Sequence, residues 1–197
     1  MKRIITISRE FGSGGRSIGK LLAEKLGYDF YDKELTNEVA KRSGFSPAFI
    51  EESGEYASAR SSLLFALATA GQYSAESLSM PDKLYIAQTK LIEELAEKGN
   101  CVIVGRCADY VLQDRKDCLH VFIYADKESR AKRIVERYGE TDRSPEKRLN
   151  EKDQKRKVYY KNYTGRNWGQ AQNYDLCLNS AVLGEERCAE LIAAACK

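Results

Sequence analysis

The sequence predicts a doubly wound α/β domain, a five-stranded parallel sheet flanked by helices. Three observations carry that expectation. Four short runs, Ile4–Ile7, Cys101–Val104, Leu119–Tyr124 and Tyr174–Leu178, are largely continuous in apolar character. Strands covered on both faces read that way, whereas half-exposed strands alternate. Stripes at helical spacing lie between these runs, which is the alternation that builds a parallel sheet. A glycine-rich segment directly follows the first run and precedes a helix pattern.

Along the chain, Ile4–Ile7 is the first strand, and Ile18, Leu21, Leu22 and Leu26 share one face of the first helix. Tyr28 to Tyr31 is a weaker strand. Ser46-Pro47 pairs an N-cap serine with a first-turn proline, so a helix is expected to begin there. Residues 53–79, rich in Ser and Ala, show no legible period. Leu84, Leu91, Ile92 and Leu95 form the stripe of a helix that leads into Cys101–Val104. After Leu119–Tyr124, residues Ala131, Ile134, Val135 and Tyr138 follow the i, i+3, i+4, i+7 rule, and Ser144-Pro145 marks another helix start. Tyr174–Leu178 is the last strand. Neither internal repeats nor a low-complexity linker divides the 197 residues, so one domain over 1–197 is expected.

Composition narrows the function. Apolar residues make up 43% and charged residues 31%, ordinary for a globular protein, and the net charge of +3 names no partner. The charge is unevenly placed: from Asp126 to Gln170 there are fourteen Lys/Arg against eight Asp/Glu, so the remainder is net acidic. A local basic segment of this kind fits a confined polyanion site or a solvated helix face, and argues against a general nucleic-acid surface. Six scattered cysteines and one histidine lack the clustering of a zinc cage. Cys101, Cys118 and Cys177 lie in or beside apolar runs and read as small hydrophobes in a reducing compartment. His120 reads as a core strand residue. No secretory leader opens the chain, and the longest apolar stretch, Leu63 to Ala70, is too short to span a bilayer, so a cytoplasmic protein is expected.

The segment Gly12-Ser13-Gly14-Gly15-Arg16-Ser17 is placed to cradle phosphate. Glycines let backbone amides close around oxygens, and the helix N-terminus adds its positive dipole end. A glycine-rich turn with no ligand is the plainer reading. Two ligand classes compete. A dinucleotide loop, G-x-G-x-x-G, would place its third glycine at Ser17, while Asp32 lies where a ribose-binding acid belongs. None of the twelve tyrosines has a lysine four positions later, which removes the dyad of short-chain reductases. The mononucleotide loop, G-x-x-x-x-G-K-[ST], also matches in part. With Gly14 as its second glycine, Arg9 takes the first glycine position, Gly15 the lysine position and Arg16 the Ser/Thr position.

The blocks Ile5–Arg16, Phe30–Leu35, Ile103–Arg106, the basic stretch Asp153–Trp168 and Tyr174–Leu176 together resemble the cytidylate kinase-like family of P-loop nucleoside monophosphate kinases. The resemblance runs nearly end to end and is weakest between about residues 50 and 80. It implies a P-loop core (1–31, 99–139 and 171–197), an acceptor-binding helical segment (about 32–98) and a basic helical lid (about 140–170). It implies Mg²⁺-dependent transfer from ATP to CMP or a similar phosphorylated acceptor. Gly12, Ser13, Gly14, Gly15, Arg16 and Ser17 would hold the donor phosphates, with Ser17 the hydroxyl for Mg²⁺. Asp32, Arg106, Arg130 and Arg133 would serve the acceptor, although the stripe beside Arg130 and Arg133 shows only that they face away from the core. Asp153, Lys155, Arg156 and Lys157 would belong to the lid, with Arg16, Arg156 and Arg166 stabilising the transition state. Plainer roles stand beside these: Asp32 as an N-cap, Arg106 paired with Asp109 or Asp114, and the lid as an exposed amphipathic helix. A rival from another class is a nucleotide-binding protein that lost its chemistry with the loop lysine, unless Arg16 curls into the loop to replace it.

Overall fold

The computed structural model describes residues 2–43, 46 and 78–197. In chain order these form β1 (Ile4–Arg9), α1 (Gly15–Leu26), β2 (Asp29–Tyr31), α2 (Lys33–Ser43), α3 (Met80–Lys98), β3 (Cys101–Val104), α4 (Ala108–Val111) and β4 (Cys118–Tyr124). There follow α5 (Lys127–Tyr138), α6 (Pro145–Thr164), a 3₁₀ turn (Ala171–Asn173), β5 (Leu176–Asn179), α7 (Ser180–Leu183) and α8 (Glu185–Ala195). The five strands form one parallel sheet in the order β2-β3-β1-β4-β5. The expected fold class is what the chain adopts. No helix among the described residues is long and apolar enough to cross a membrane.

The continuous apolar runs are explained by the two layers. Ile5, Ile7, Val102, Val104 and Ile123 pack on one face with Ile18 and Leu22 of α1 and Ile192 of α8. Ile4 and Ile103 pack on the other with Leu84, Leu91 and Ile92 of α3. Full burial of each such side chain contributes roughly 1.5–3 kcal/mol. Cys101 and Cys118 are buried among them, and burial pushes their thiols up to about 11 and about 12. His120 is also buried, with its Nδ1 2.8 Å from Thr6 Oγ1, and burial lowers its pKa.

Three details differ from the sequence reading. The last strand starts at Leu176, not Tyr174. Asp175 meets β4 first, its N–H donating to the His120 carbonyl and its carboxylate accepting from His120 N, each at 2.8 Å. In α5 only Ile134 of the apolar stripe is fully buried, and Tyr138 is 60% exposed and stacks on Phe11 at 5.9 Å. The place one turn before Ile134 belongs to Arg130, whose buried side chain corrects the expectation that it faces away from the core. Helix α6 starts at its Ser144 cap as expected, yet its C-terminal half is no solvated amphipathic helix. Tyr159 and Tyr163 are buried against α3 and Tyr160 bonds Asp109 of α4, with Tyr85 and Tyr163 stacked at 4.0 Å. The helix expected at Ser46-Pro47 and the apolar stretch Leu63–Ala70 fall outside the described residues.

Candidate active site

β1 is the central strand, so the chain leaving its carboxyl end emerges where ligands meet open α/β sheets. That chain is the loop Glu10–Gly14. Gly12 and Gly14 have φ of +82° and +80°, left-handed values that favour glycine. A Cβ on Gly12 would also lie 2.9 Å from the Arg130 carbonyl. Ser13 Oγ points inward, donating to the carbonyls of Glu10 and Ile123 at 2.9 and 3.1 Å, so its hydroxyl shapes the loop. Helix α1 begins at Gly15 with no side-chain cap bond and no acidic residue in its first turn. Its positive end attracts anions, and the Glu185 carboxylate stands beside it, 2.9 Å from where a Cβ on Gly14 would lie.

The loop is braced from below by an ionic cluster. Arg130 Nη1 lies 2.6 Å from Asp153 Oδ2 and donates to the Phe11 carbonyl at 3.2 Å, while its Nε is 3.4 Å from Glu10 Oε2. Asp153 also accepts from Phe11 N at 2.8 Å. Burial raises the Glu10 pKa, with Arg130 opposing the shift. Arg130 and Asp153 therefore hold the loop's backbone, with their charges directed at each other.

A second set of groups gathers at the ends of β1 and β3. Gly105, Arg106 and Cys107 take φ of +79°, +60° and +55° in succession. Left-handed backbone costs about 1–2 kcal/mol at a non-glycine residue. The turn is held by Gly105 N donating to Ile7 O and Ala108 N to Gly105 O. It carries Arg106 into a small cavity of about 20 Å³ that Arg9, Arg156, Tyr159, Tyr160 and Trp168 also line. Arg156, from α6, donates to the Arg9 carbonyl at 3.1 Å and stands 6.0 Å from the centre of the Phe11 ring. Three arginines from three elements thus converge beside the loop. Asp109 is no surface partner for them: it is buried, accepting from Tyr160 Oη at 2.7 Å and Ser8 Oγ at 3.2 Å, and burial raises its pKa.

On the other side of the loop a cavity of about 570 Å³ opens between α5 and the β5–α8 connection, lined by Gly12, Ser13, Arg133, Arg137, Ser180 and Gly184 among others. That size suits a small organic ligand. Arg133 faces this cavity, ion-paired with Glu185 and donating to Ser17 Oγ at 3.1 Å.

Several expected site residues are placed differently from the sequence reading. Arg16 does not curl into the loop: its Nε pairs with Asp32 Oδ2 at 2.6 Å and its side chain is half exposed. Asp32 thus acts at the loop's edge as an ion-pair partner. Arg130 and Arg133 are on the loop and 570 Å³ side, apart from Arg106, because Asp153 and Glu185 draw them there. Arg166 is exposed, donating to Gln113 Oε1 at 2.5 Å and lying 5.2 Å from the centre of the Tyr110 ring. It is held on the α4 side rather than over the loop. Lys155 and Lys157 are exposed on α6. The Ser17 hydroxyl, expected to meet Mg²⁺, accepts from Arg133. The sequence reading missed Arg9, Glu10 and the Ser8–Asp109–Tyr160 network. Only the i, i+4 spacing of Arg130 and Ile134 offered a signal for the buried cluster.

A model of the cytidylate kinase-like family matches residues 4–182. The chain is 32% identical over 194 residues to the cytidylate kinase of Archaeoglobus fulgidus, covering 95% of this chain and 91% of that protein. It is similar to the solved structure of an uncharacterized protein from Eubacterium ventriosum, with a TM-score of 0.73 and 30% identity, covering 98% of this chain and 97% of that one. Shikimate kinase from Acinetobacter baumannii has the same fold at a TM-score of 0.56 and 17% identity, covering 98% and 92%.

Proposed function

We propose that this chain, which belongs to the cytidylate kinase-like family, transfers the γ-phosphoryl group of ATP to a nucleoside monophosphate, CMP first among them. The observation that carries the reading is the convergence of Arg9, Arg106 and Arg156 on one cavity beside a loop built to hold phosphate. A guanidinium suits paired contacts to phosphate oxygens, which a donor and an acceptor would both offer.

In this reading the amides at Gly12 to Arg16 and the start of α1 hold the donor phosphates. The donor enters as its magnesium complex, and the cavity beside Arg133, Arg137 and Ser180 takes its nucleoside end. Arg106, fixed by its left-handed turn, grips the acceptor phosphate through paired N–H groups. Arg156 stands between the two sides. Phosphoryl transfer asks the protein for in-line placement and for positive charge around the moving group, which these elements supply. The bond from the γ-phosphorus to the bridging oxygen breaks as one forms to an acceptor phosphate oxygen. ATP as donor implies action in the cytoplasm.

The test is direct. Purified protein is incubated with magnesium, ATP and each common nucleoside monophosphate, and ADP and the new diphosphate are separated and counted. CDP is expected to form fastest; no diphosphate from any acceptor overturns the reading. Gly15 at the lysine position favours a second reading, in which the protein binds nucleotides without turnover, and ATP binding with no product would support it.

A further inference from the structure

We propose that Arg9 supplies the charge that the lysine of G-x-x-x-x-G-K-[ST] supplies, and that it does so from the place of that motif's first glycine. The proposal deepens the phosphotransfer reading and rests on it for the identity of the phosphate.

Gly15, at the lysine position, lies outside the left-handed region, so its backbone makes no demand for glycine. Space does. A Cβ built on Gly15 would fall 2.5 Å from Arg9 Cβ and 2.9 Å from Arg9 Cγ, whereas carbon atoms in contact keep about 3.5–4.0 Å. The Arg9 side chain therefore fills the volume into which any residue-15 side chain would grow, directly over the first turn of α1. Its backbone is fixed at that spot. Arg9 is the last residue of β1, in register with Ile123 of β4, and its carbonyl accepts from Arg156.

The two departures from the motif are thus linked. An arginine stands where the first glycine belongs, a glycine stands where the lysine belongs, and the arginine's stem requires that glycine. The arginine's side chain lines the cavity shared with Arg106 and Arg156, next to the loop that holds the donor. A guanidinium also brings a planar fork that matches two phosphate oxygens, where an ammonium brings a point charge. Arg9 moves no proton. It neutralises charge on the donor's terminal phosphates as the bridging P–O bond breaks and the acceptor oxygen bonds to phosphorus.

The experiment compares wild type with Arg9→Gly, Arg9→Met, Gly15→Lys and the double variant Arg9→Gly/Gly15→Lys. Each is checked for folding by circular dichroism, then titrated calorimetrically with magnesium–ATP and with AMP, and assayed for turnover. Arg9→Met keeps the packing over Gly15 while removing the charge. Both Arg9 variants are expected to bind ATP at least about tenfold more weakly, with AMP affinity within about twofold, and to lose about 10²-fold or more in kcat. Gly15→Lys alone is also expected to lose activity, because its side chain meets Arg9. The double variant is expected to recover at least about tenfold of what Arg9→Gly loses in kcat or, without turnover, in ATP affinity. Arg9 variants within about twofold of wild type in ATP affinity and, where wild type turns over, in kcat would overturn the proposal. So would a double variant no better than Arg9→Gly. If wild type forms no diphosphate, the phosphotransfer reading fails, while the ATP and AMP titrations still decide whether Arg9 meets the donor's outer phosphates.

Discussion

Arg130 and Asp153 face each other at 2.6 Å beneath the phosphate loop, with side chains 5% and 11% exposed. Both also bond the backbone of Phe11, one to its carbonyl and the other to its N–H. Removing Asp153 leaves the buried Arg130 with Glu10 alone, 3.4 Å from its Nε, and strips Phe11 N of its acceptor. Asp153→Leu is therefore expected to cost about 3–5 kcal/mol, and Arg130→Met/Asp153→Leu less than that single change. Urea denaturation of the three proteins checks it; a double variant less stable than Asp153→Leu would contradict it.

On the proposed reading Arg106 serves the acceptor alone. Arg106→Ala then forfeits charged hydrogen bonds worth about 1.5–3 kcal/mol, which is about 10–150-fold in acceptor KM. The KM for ATP should stay within about twofold. Steady-state kinetics with each substrate varied in turn separates the two constants, and a loss falling equally on both would count against this placement.

Arg16→Ala should matter little. Its guanidinium is 53% exposed, which screens the pair with the more covered Asp32 toward the range of about 0–1 kcal/mol typical of solvated pairs. Turnover within about threefold of wild type is expected, against a loss of about a hundredfold if Arg16 touched the transferring phosphate. The same assay used for the acceptor panel decides between them.

Asp109 gives stability a pH dependence. Burial holds its carboxyl above the ordinary range, although the hydrogen bonds from Tyr160 and Ser8 pull the other way. An acid whose pKa rises on folding binds its proton more tightly in the folded state. Its contribution is most favourable below the unfolded pKa of about 4 and is lost as pH climbs through the raised folded value. Asp109→Asn keeps an acceptor for Tyr160 and a donor for Ser8, and removes the titration. The variant should match or exceed wild type at neutral pH, with a stability difference that shrinks as pH falls. Denaturation midpoints across the acid range test this, and a difference independent of pH would refute it.

The parts of the molecule that repeat a pattern were legible in the sequence. Ile4–Ile7 and Cys101–Val104 announced buried strands because both faces of the sheet are covered, and Ser144-Pro145 announced α6 because caps are local chemistry. The site was legible only where backbone rules it, as at Gly12 and Gly14. Long side chains were not: Arg16 turned outward because Asp32 lay across the strand ends, and Arg166 settled on Tyr110. Arg9 could not be read at all, since its position over Gly15 depends on the β1–β4 register and on how the loop folds back. The burial of Tyr159, Tyr160 and Tyr163 went unread within the basic stretch because nothing local reveals that α3 and α4 lie against them.

Helix α6 reaches both sides of this centre with one rigid length. Asp153 and Arg156 hold the loop at Phe11 N and Arg9 O, and two turns further on Tyr159, Tyr160 and Tyr163 bond Gln88, Asp109 and Asp82. The same helix therefore ties α3 and α4 to the loop after β1. On the proposed reading, filling either site alters the affinity of the other, and linkage requires the same factor in both directions. The helix then acts as a crossbeam, and the two substrates communicate through it before any bond is made or broken.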